Sequence, residues 1–404
     1  MKKQLLTTTA LVAAGVFTIT GAALAQKPTL SLGGSTEQIF GVGENDNAFD
    51  ALNGQTSGFD QHSDTEIHFN GAVTLDNGIK IRTRVELEGN SAQDQTAGAN
   101  SNVVNGAPGT IAGGAGGGSV DFIDENWMRI SGSFGEVRLG SGDAAAQAMT
   151  TGYLGTWATS VGQNLAFDTT DWINANSGAG TAITASTVGR VDLSSDAEHI
   201  SYFTPRFAGF QAGLSYIPSD SEDVNNQRAL NTAGDRDGWS MGLNFDRKFS
   251  GVGVGIAVGY AVEDETTLNR TDREVWGIGG RVDFSGFRVA MSWVDREEQH
   301  SNVTGVTNAG GQGQETFEAG VRYMFGPNAV SAAYLSAETD GSQASGFNGD
   351  EAEVVHLAYR RTLGPGVFWK VTAMFADFDD GATAAAAGAS NDGQAVTTSI
   401  LIRF

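Results

Sequence analysis

The chain of 404 residues has no cysteine and only 6 prolines, and its 24 basic residues are outnumbered by 47 acidic ones. Without cysteine, no disulfide framework can form. The combination of 56 glycines with so little proline argues against the Pro-rich disordered and collagen-like classes. The formal net charge of −23 argues against nucleic acid as a partner, because nucleic acid attracts clustered lysine and arginine.

Long apolar runs are missing after the first 25 residues. Those residues comprise a basic start at Met1-Lys2-Lys3, an apolar run from Leu5 to Ala23 and a small-x-small site at Ala23-Leu24-Ala25. They predict a secretory signal peptide at residues 1–25 that is cleaved after Ala25, with an uncleaved membrane anchor as the alternative. No later run of about 18 apolar residues predicts a transmembrane helix, but a closed β-barrel crosses a membrane with strands of about 9–11 residues.

In place of long apolar runs, the sequence has alternation with period two. Residues 79–88 read IKIRTRVELE, in which every second side chain is charged and the others are Ile, Thr, Val or Leu. Such alternation is typical of a strand whose two faces meet different surroundings. Sixteen segments of this kind start near Leu30, Thr65, Ile79, Phe122, Val137, Glu198, Gln211, Trp239, Val252, Glu274, Arg288, Thr316, Ala329, Glu353, Val367 and Gln394.

The connections between these segments alternate in length. Short turns rich in Gly, Asn or Pro, such as 76–78 and 285–286, are followed by longer loops, such as 89–119 and 377–393. Glycine and asparagine are the residues that tight hairpin turns require. The pattern predicts an all-β, up-and-down meander of sixteen antiparallel strands.

Two architectures fit that meander, a soluble sandwich and a transmembrane barrel. A barrel turns its apolar face to lipid and its polar face to a wet lumen, with aromatic residues at both interfaces. Aromatic residues gather near the ends of the segments, at Trp239, Phe245, Trp276, Phe284, Tyr323, Phe325, Tyr359 and Phe404. We therefore favour the transmembrane β-barrel. It would comprise residues 26–404, and the charged face of residues 79–88 would point into its lumen.

Two segments resemble elements of a known family. Residues 131–141, SGSFGEVRLGS, resemble the Gly-Ser-Phe-Gly-x-Val-x-Leu-Gly element of Gram-negative porins, and the terminal SILIRF resembles the porin C-terminal strand. The chain is similar to the sixteen-stranded general porins, with an alphaproteobacterial-like pattern. The resemblance implies a homotrimer in the outer membrane with short periplasmic turns, long extracellular loops and a third loop, about residues 141–196, that folds into the pore as a constriction.

The resemblance also implies that basic residues of the pore wall face acidic residues of the third loop. The expected basic residues are Lys80, Arg82, Arg84, Arg129, Arg138, Arg322, Arg360 and Lys370. The expected acidic residues are Asp143, Asp168 and Asp171. Trp127 shares the parity of Arg129, which leaves the face of that arginine open. Ion pairing of Arg82 or Arg84 with Glu66 or Glu86 is the alternative to a role in conductance.

No candidate catalytic centre is found in the sequence. The five histidines form no HExxH spacing, and no G-x-S-x-G element frames a nucleophile. The glycine-rich residues 112–119, AGGAGGGS, precede no helix pattern, which is typical of a loop tip and not of a phosphate cradle. We expect no enzymatic activity and no cofactor.

Acidic clusters at residues 348–351 and 377–380 leave loop-bound Ca²⁺ as an option. Carboxylates are hard oxygen ligands for calcium, but these clusters lack the spacing of a dedicated site. A divalent ion could bridge loops or the phosphates of lipopolysaccharide there. Simple solvation of the carboxylates is the alternative that we favour.

By this resemblance, the function expected is passive diffusion of small hydrophilic solutes and ions across the outer membrane. The acidic composition and the acidic loop predict a mild preference for cations. A solute-specific channel is the alternative within transport, and Tyr153, Trp157 and Trp172 in the third loop could form its aromatic track. A plugged structural or adhesive barrel is the alternative from another class.

Overall fold

The computed structural model describes residues 27–53, 58–89, 123–175, 189–194, 196–219, 237–264, 272–297, 313–339, 349–381 and 390–404. Within these residues, sixteen antiparallel strands form one closed barrel, in which consecutive strands pair and the last strand pairs with the first. The strands are β1 (Thr29–Asn45), β2 (Gly58–Thr74), β3 (Lys80–Glu88), β4 (Ile123–Gly132), β5 (Gly135–Gly140), β6 (His199–Phe203), β7 (Phe210–Ile217), β8 (Asp237–Phe249), β9 (Val252–Asp264), β10 (Arg273–Phe284), β11 (Phe287–Glu297), β12 (Gln314–Phe325), β13 (Asn328–Thr339), β14 (Glu351–Gly364), β15 (Val367–Asp379) and β16 (Asn391–Arg403).

The predicted sixteen-stranded antiparallel barrel is confirmed, and the predicted strand starts agree with the observed ones to within three residues, except for β2. That strand begins at Gly58, whereas apolar alternation becomes visible only near Thr65. Residues 59–64 read FDQHSD and show no such alternation, yet their backbone pairs with the second half of the long strand β1. Backbone pairing, which the side-chain pattern does not report, extends the strand.

The two faces of the barrel differ as the alternation predicts. On β8 the side chains of Met241 and Leu243 are exposed on the outer surface, whereas Gly242 between them faces chain inside the barrel. The same outward exposure recurs around the barrel at Ile256, Val258, Ile278, Met291, Phe317, Leu357, Phe375, Val396 and Ile400. A continuous apolar outer surface of this kind is what a lipid environment requires.

Two of the short turns show why their sequences contain glycine. Ser250 and Gly251 have φ angles of 45° and 93°, and Ser285 and Gly286 have φ angles of 48° and 87°. Positive φ at both central residues is the type I′ geometry, whose twist matches that of the flanking strands. The turns predicted at these two positions are therefore tight two-residue hairpins.

The helices are short. They are α1 (Asn47–Asn53) after β1, and α2 (Ala145–Thr150), α3 (Gly155–Thr159) and α4 (Leu165–Asp168) after β5, with a 3₁₀ turn at Thr151–Tyr153. No helix in the described residues is long and apolar enough to cross a membrane.

Several predicted features lie outside the described residues. These are the signal peptide at residues 1–25, the glycine-rich stretch 112–119, His300, and residues 176–188 and 195 of the predicted third loop.

Candidate functional site

The chain that follows β5 runs inside the barrel. Residues 141–175, here termed the inner loop, carry α2, α3 and α4, which pack in turn against the inner faces of strands from β6 to β14. The loop then reaches β1, where the ring of Trp172 covers Gly41 and the amide of Asn174 donates a hydrogen bond to Asn45 Oδ1 over 3.0 Å. We call the inner face from β6 round to β1 the covered wall and the inner face of β2–β5 the bare wall.

Short hydroxyl side chains of the covered wall hold the backbone of the inner loop. The amide of Ala145 donates to Ser215 Oγ on β7, and the amide of Gly155 donates to Ser292 Oγ on β11, both over 2.8 Å. The remaining bonds of this type run to Ser240, Ser331 and Thr372. Each of them satisfies a loop amide that would otherwise be buried without a partner, which would cost free energy.

Inner-face glycines give the loop room to approach. A Cβ built on Gly279 would lie 2.5 Å from the carbonyl oxygen of Tyr153, and one built on Gly242 would lie 2.5 Å from Cβ of Met149. Such distances are far below van der Waals contact, so larger residues at these positions would push the loop off the wall. The sequence showed the glycines and its resemblance to porins predicted a loop inside the pore, but nothing in it indicated which glycines the loop would contact.

A row of three arginines crosses the bare wall. Arg82, Arg129 and Arg138 occupy directly opposed positions on β3, β4 and β5. The guanidinium of Arg129 lies 3.8 Å from the ring centroid of Trp127 on the same face, so the shared parity places both side chains in the lumen. Lys80 and Arg82 are exposed, and neither makes an ion pair with a carboxylate in the described part of the chain.

Two of the basic candidates on the bare wall, Arg84 and Arg138, are paired with glutamates. Arg84 Nη1 lies 3.1 Å from Glu86 Oε2 and 3.6 Å from Glu125 Oε2. Arg138 Nε lies 2.6 Å from Glu136 Oε1. Pairing holds these guanidinium groups in place and reduces the net charge that they present to the lumen.

The basic candidates on the covered wall are in different surroundings. Lys370 is buried beneath the inner loop, with Nζ 2.7 Å from Glu37 Oε2, and Gln163 of the loop donates to Glu37 Oε1 over 3.0 Å. Arg322 and Arg360 are half-buried and form no ion pair within the described ranges. The positive charge of Lys370 is therefore balanced by Glu37 within the wall and is not presented to the lumen.

Two further arginines lie against the inner loop and were not singled out from the sequence. Arg281 donates to the carbonyl oxygen of Gly152 over 2.7 Å and pairs with Asp246. Arg288 pairs with Asp283 at 2.6 Å and donates to the carbonyl oxygen of Ala158 over 3.3 Å. Their inner-face position follows from the strand alternation, so the alternation was the signal that could have identified them.

The acidic candidates of the inner loop differ strongly in exposure. Burial raises the pKa of the Asp143 carboxyl, which accepts a hydrogen bond from Gln147. Burial, and then the neighbouring charge of Asp171, raise the pKa of Asp168 to about 7, while the amide of Asn164 donates to its Oδ2 over 2.5 Å. Asp171 is the most exposed of the three and lies 3.8 Å from His62 Nδ1 on β2. Among the described residues, no ion pair joins these three acids to the eight basic candidates.

Two of the three aromatic residues considered for a solute track, Tyr153 and Trp172, are occupied by contacts with the wall. Tyr153 donates to Asp246 Oδ2 over 3.2 Å, and the guanidinium of Arg281 lies 4.6 Å from its ring centroid. Trp172 stacks on His62 at 4.4 Å, and both Tyr153 and Trp172 are buried. These contacts fix the path of the loop and leave little ring surface for a passing solute.

The model of the Gram-negative porin family matches residues 7–381 of this chain. The chain belongs to the Gram-negative porins. This porin is therefore an outer-membrane channel for the passive diffusion of small hydrophilic solutes. No sequence among the curated proteins matches the chain.

Solved structures show the same fold. The porin chain resembles an anion-selective porin from Comamonas acidovorans with a TM-score of 0.62 and 17% identity, over 94% of this chain and 100% of that one. It also resembles a loop-deletion mutant of OmpT from Vibrio cholerae, with a TM-score of 0.56 and 9% identity over 94% and 100% of the two chains. At such low identity these likenesses bear on the fold alone.

Proposed function

We propose that this porin is a general, water-filled diffusion pore whose narrow part has a weak preference for anions. The observation that carries the proposal is the row of Arg82, Arg129 and Arg138 on the bare wall, opposite the inner loop. Lining charge decides which ions a water-filled pore of this kind favours. No catalysis is part of this proposal.

The charges on the two sides of the passage do not balance. On the bare wall, Lys80 and Arg82 are exposed and have no carboxylate partner among the described residues. Of the three loop acids, Asp171 is the most exposed, whereas burial raises the pKa of both Asp143 and Asp168. The exposed positive charges of Lys80 and Arg82 support an anion preference.

The preference proposed here has the opposite sign to the one that composition predicts. Many of the carboxylates behind the net charge of −23 lie on the outer face near the strand ends that carry the long loops, where Glu353, Asp377, Asp379 and Asp392 are found. Salt screens exposed charges of this kind, because the Debye length at 0.1 M is about 10 Å. The lining charges act within the passage, where screening is weaker.

The test is single-channel recording of the refolded mature chain in a planar bilayer, with KCl concentration varied. A general pore gives a conductance that rises in proportion to salt concentration and passes small neutral sugars in vesicle swelling. A conductance that saturates, with swelling for only one class of solute, would favour the solute-specific channel. A folded, inserted barrel without conductance would contradict both and favour the plugged structural barrel.

We also propose that the porin forms a homotrimer in contact with outer-membrane lipid and lipopolysaccharide. On the outer face of the β1–β2 pair, Leu30 and Leu32 are among the most exposed apolar side chains of the barrel, and Leu32 lies directly opposite Phe69, which is also exposed. Clustered, highly exposed apolar residues are typical of a protein contact as well as of a lipid contact. Light scattering of the purified porin in detergent tests the proposal, since a monomeric mass would contradict it.

A further inference from the structure

On the bare wall, one imidazole lies between two carboxylates. His68 Nε2 is 3.2 Å from Glu66 Oε2 on the same strand and 3.1 Å from Glu86 Oε2 on β3. Glu86 pairs directly with His68 in the β2–β3 register, and Glu66 lies two residues before His68 on the same face. Strand geometry therefore brings the three side chains together.

Hydrogen bonding accounts for only part of this arrangement. A single imidazole Nε2 carries at most one hydrogen, so it can donate a full hydrogen bond to only one of the two carboxylates. The oxygen of the other carboxylate then lies close to Nε2 without receiving a hydrogen bond from it. A metal ion at the centre would bind all three atoms.

The three ligand atoms have the chemistry and the spacing for that role. They lie within 4.8 Å of one another, and zinc is held by His nitrogen at about 2.0–2.1 Å and by carboxylate oxygen at about 2.0–2.2 Å. A set with one imidazole and two carboxylates suits Zn²⁺ and its first-row neighbours, because imidazole is a poor ligand for Mg²⁺ and Ca²⁺. The fourth position of a tetrahedral ion would face the lumen.

The surroundings support the same ligands. Arg84 Nη1 lies 3.1 Å from Glu86 Oε2, the oxygen that also faces His68, and Arg84 Nε donates to Asn70 Oδ1 over 3.4 Å, so the position of this carboxylate is fixed by Arg84. Outer partners of this kind position metal-ligating carboxylates. Glu88 and Asp124 adjoin Glu86 closely enough to form a second acidic group with it, and their charge adds to the attraction for a dication.

The cluster is also accessible. It lies on the bare wall, away from the helices of the inner loop, and the side chains of His68 and Glu66 keep 16% and 33% of their surface exposed, whereas that of Glu86 keeps 7%. An ion in the lumen could therefore reach it without displacement of the loop.

We propose that Glu66, His68 and Glu86 form a binding site for a divalent first-row transition metal, with Zn²⁺ as the probe. The ion would be held by His68 Nε2 and one oxygen of each glutamate, within the passage and beside the arginine row. Its charge would add to the positive lining of the bare wall.

Calorimetric titration of the folded porin with ZnCl₂ tests the site without reference to ion flow, so its outcome does not depend on the proposed selectivity. We expect one zinc ion bound per chain, with affinity lowered at least roughly 10-fold in His68→Ala and in Glu86→Gln. His62→Ala is the matched control, because His62 also lies on β2 between two carboxylates, Asp60 and Asp171, at the longer distances of 3.5 and 3.8 Å. Heat-modifiable migration on gels verifies that each variant is folded.

Three results would overturn the proposal. The first is the absence of zinc binding by the folded wild-type porin at millimolar concentration. The second is an affinity that His68→Ala and Glu86→Gln leave unchanged. The third is loss of binding in His62→Ala with retention in His68→Ala, which would move the site to the other histidine.

Discussion

The covered wall and the bare wall are built from strands with the same alternation, but their inner faces carry different residues. Where the inner loop lies against the barrel, many of the inner positions are small or hydroxylated, as at Gly242, Gly259 and Ser240. Where no loop helix lies, they are charged, as at Arg82 and Arg129. A charge is retained where water remains, because burial of an unpaired charge costs far more than its exposure.

Beneath the inner loop, the covered wall contains a buried ion pair. Glu37 and Lys370 are both buried beneath the loop and lie 2.7 Å apart. On the bare wall, Arg138 and Glu136 form a pair at similar distance, but both side chains are partly exposed. The same kind of ion pair should therefore matter for stability on one wall and much less on the other.

The largest effect that we predict comes from Lys370→Met, which leaves Glu37 charged beneath the loop with Gln163 as its remaining strong partner. Breaking a buried pair by removal of one partner costs about 3–5 kcal/mol. The matched change on the bare wall, Arg138→Met, should cost about 1 kcal/mol, because partly exposed pairs contribute little. Guanidinium unfolding of both variants in detergent measures the difference. Equal losses would contradict the distinction between the two walls.

A second prediction compares two glycines of the inner loop. A Cβ on Gly155 would lie 2.6 Å from the backbone oxygen of Glu318, which cannot move aside, whereas a Cβ on Gly152 meets only Arg281 Nη1 at 3.5 Å. Overpacking costs about 1–3 kcal/mol, so Gly155→Val should lower stability by this amount and make the single-channel current fluctuate. Gly152→Val should resemble the wild type in both respects. A quiet current in Gly155→Val would show that the loop does not depend on this contact.

The third prediction concerns pH and the loop carboxylates. The pKa of Asp168 is raised to about 7 by burial, so the folded protein binds this proton more tightly than the unfolded chain does. Its contribution to stability is therefore greatest in acid and is lost as pH rises through about 7, while the loop gains negative charge. Asp171, Lys370 and Glu37 are the charged neighbours.

Recordings under a KCl gradient from about pH 6 to about pH 8 should show the anion preference weakening as pH rises. Asp168→Asn should reduce this change, because its side chain cannot ionise. Asp171→Asn, at the exposed carboxylate, is the control and should retain the pH dependence. A pH response that Asp168→Asn leaves intact would assign it to other groups.

The strands and their faces could be predicted because lipid and water impose opposite demands on alternate residues, as at Met241 and Gly242. The inward position of Lys80, Arg82 and Arg84 could be predicted for the same reason, since they share one face of β3. Contacts between segments that are distant in the sequence could not be predicted from this alternation. The alternation places Ser292 on the inner face, but it does not show whether the hydroxyl contacts water or, as observed, the amide of Gly155.

The loop acids show the same limit. Asp168 and Asp171 are three residues apart and look equivalent in the sequence, yet one lies against the wall and the other faces the passage. The difference depends on where α4 meets β13 and β14, strands that lie far along the chain. The proposed anion preference therefore differs in sign from the cation preference that composition predicts.

The measurement that tests the account most directly is the reversal potential of the wild-type porin in a KCl gradient at neutral pH, compared with that of Arg82→Ala. The account predicts a reversal potential of anion-selective sign, and a shift toward cations in Arg82→Ala because the exposed charge of the bare wall is removed. A wild-type reversal potential of cation-selective sign would contradict it, and would place control of selectivity with the acidic residues instead of the arginine row.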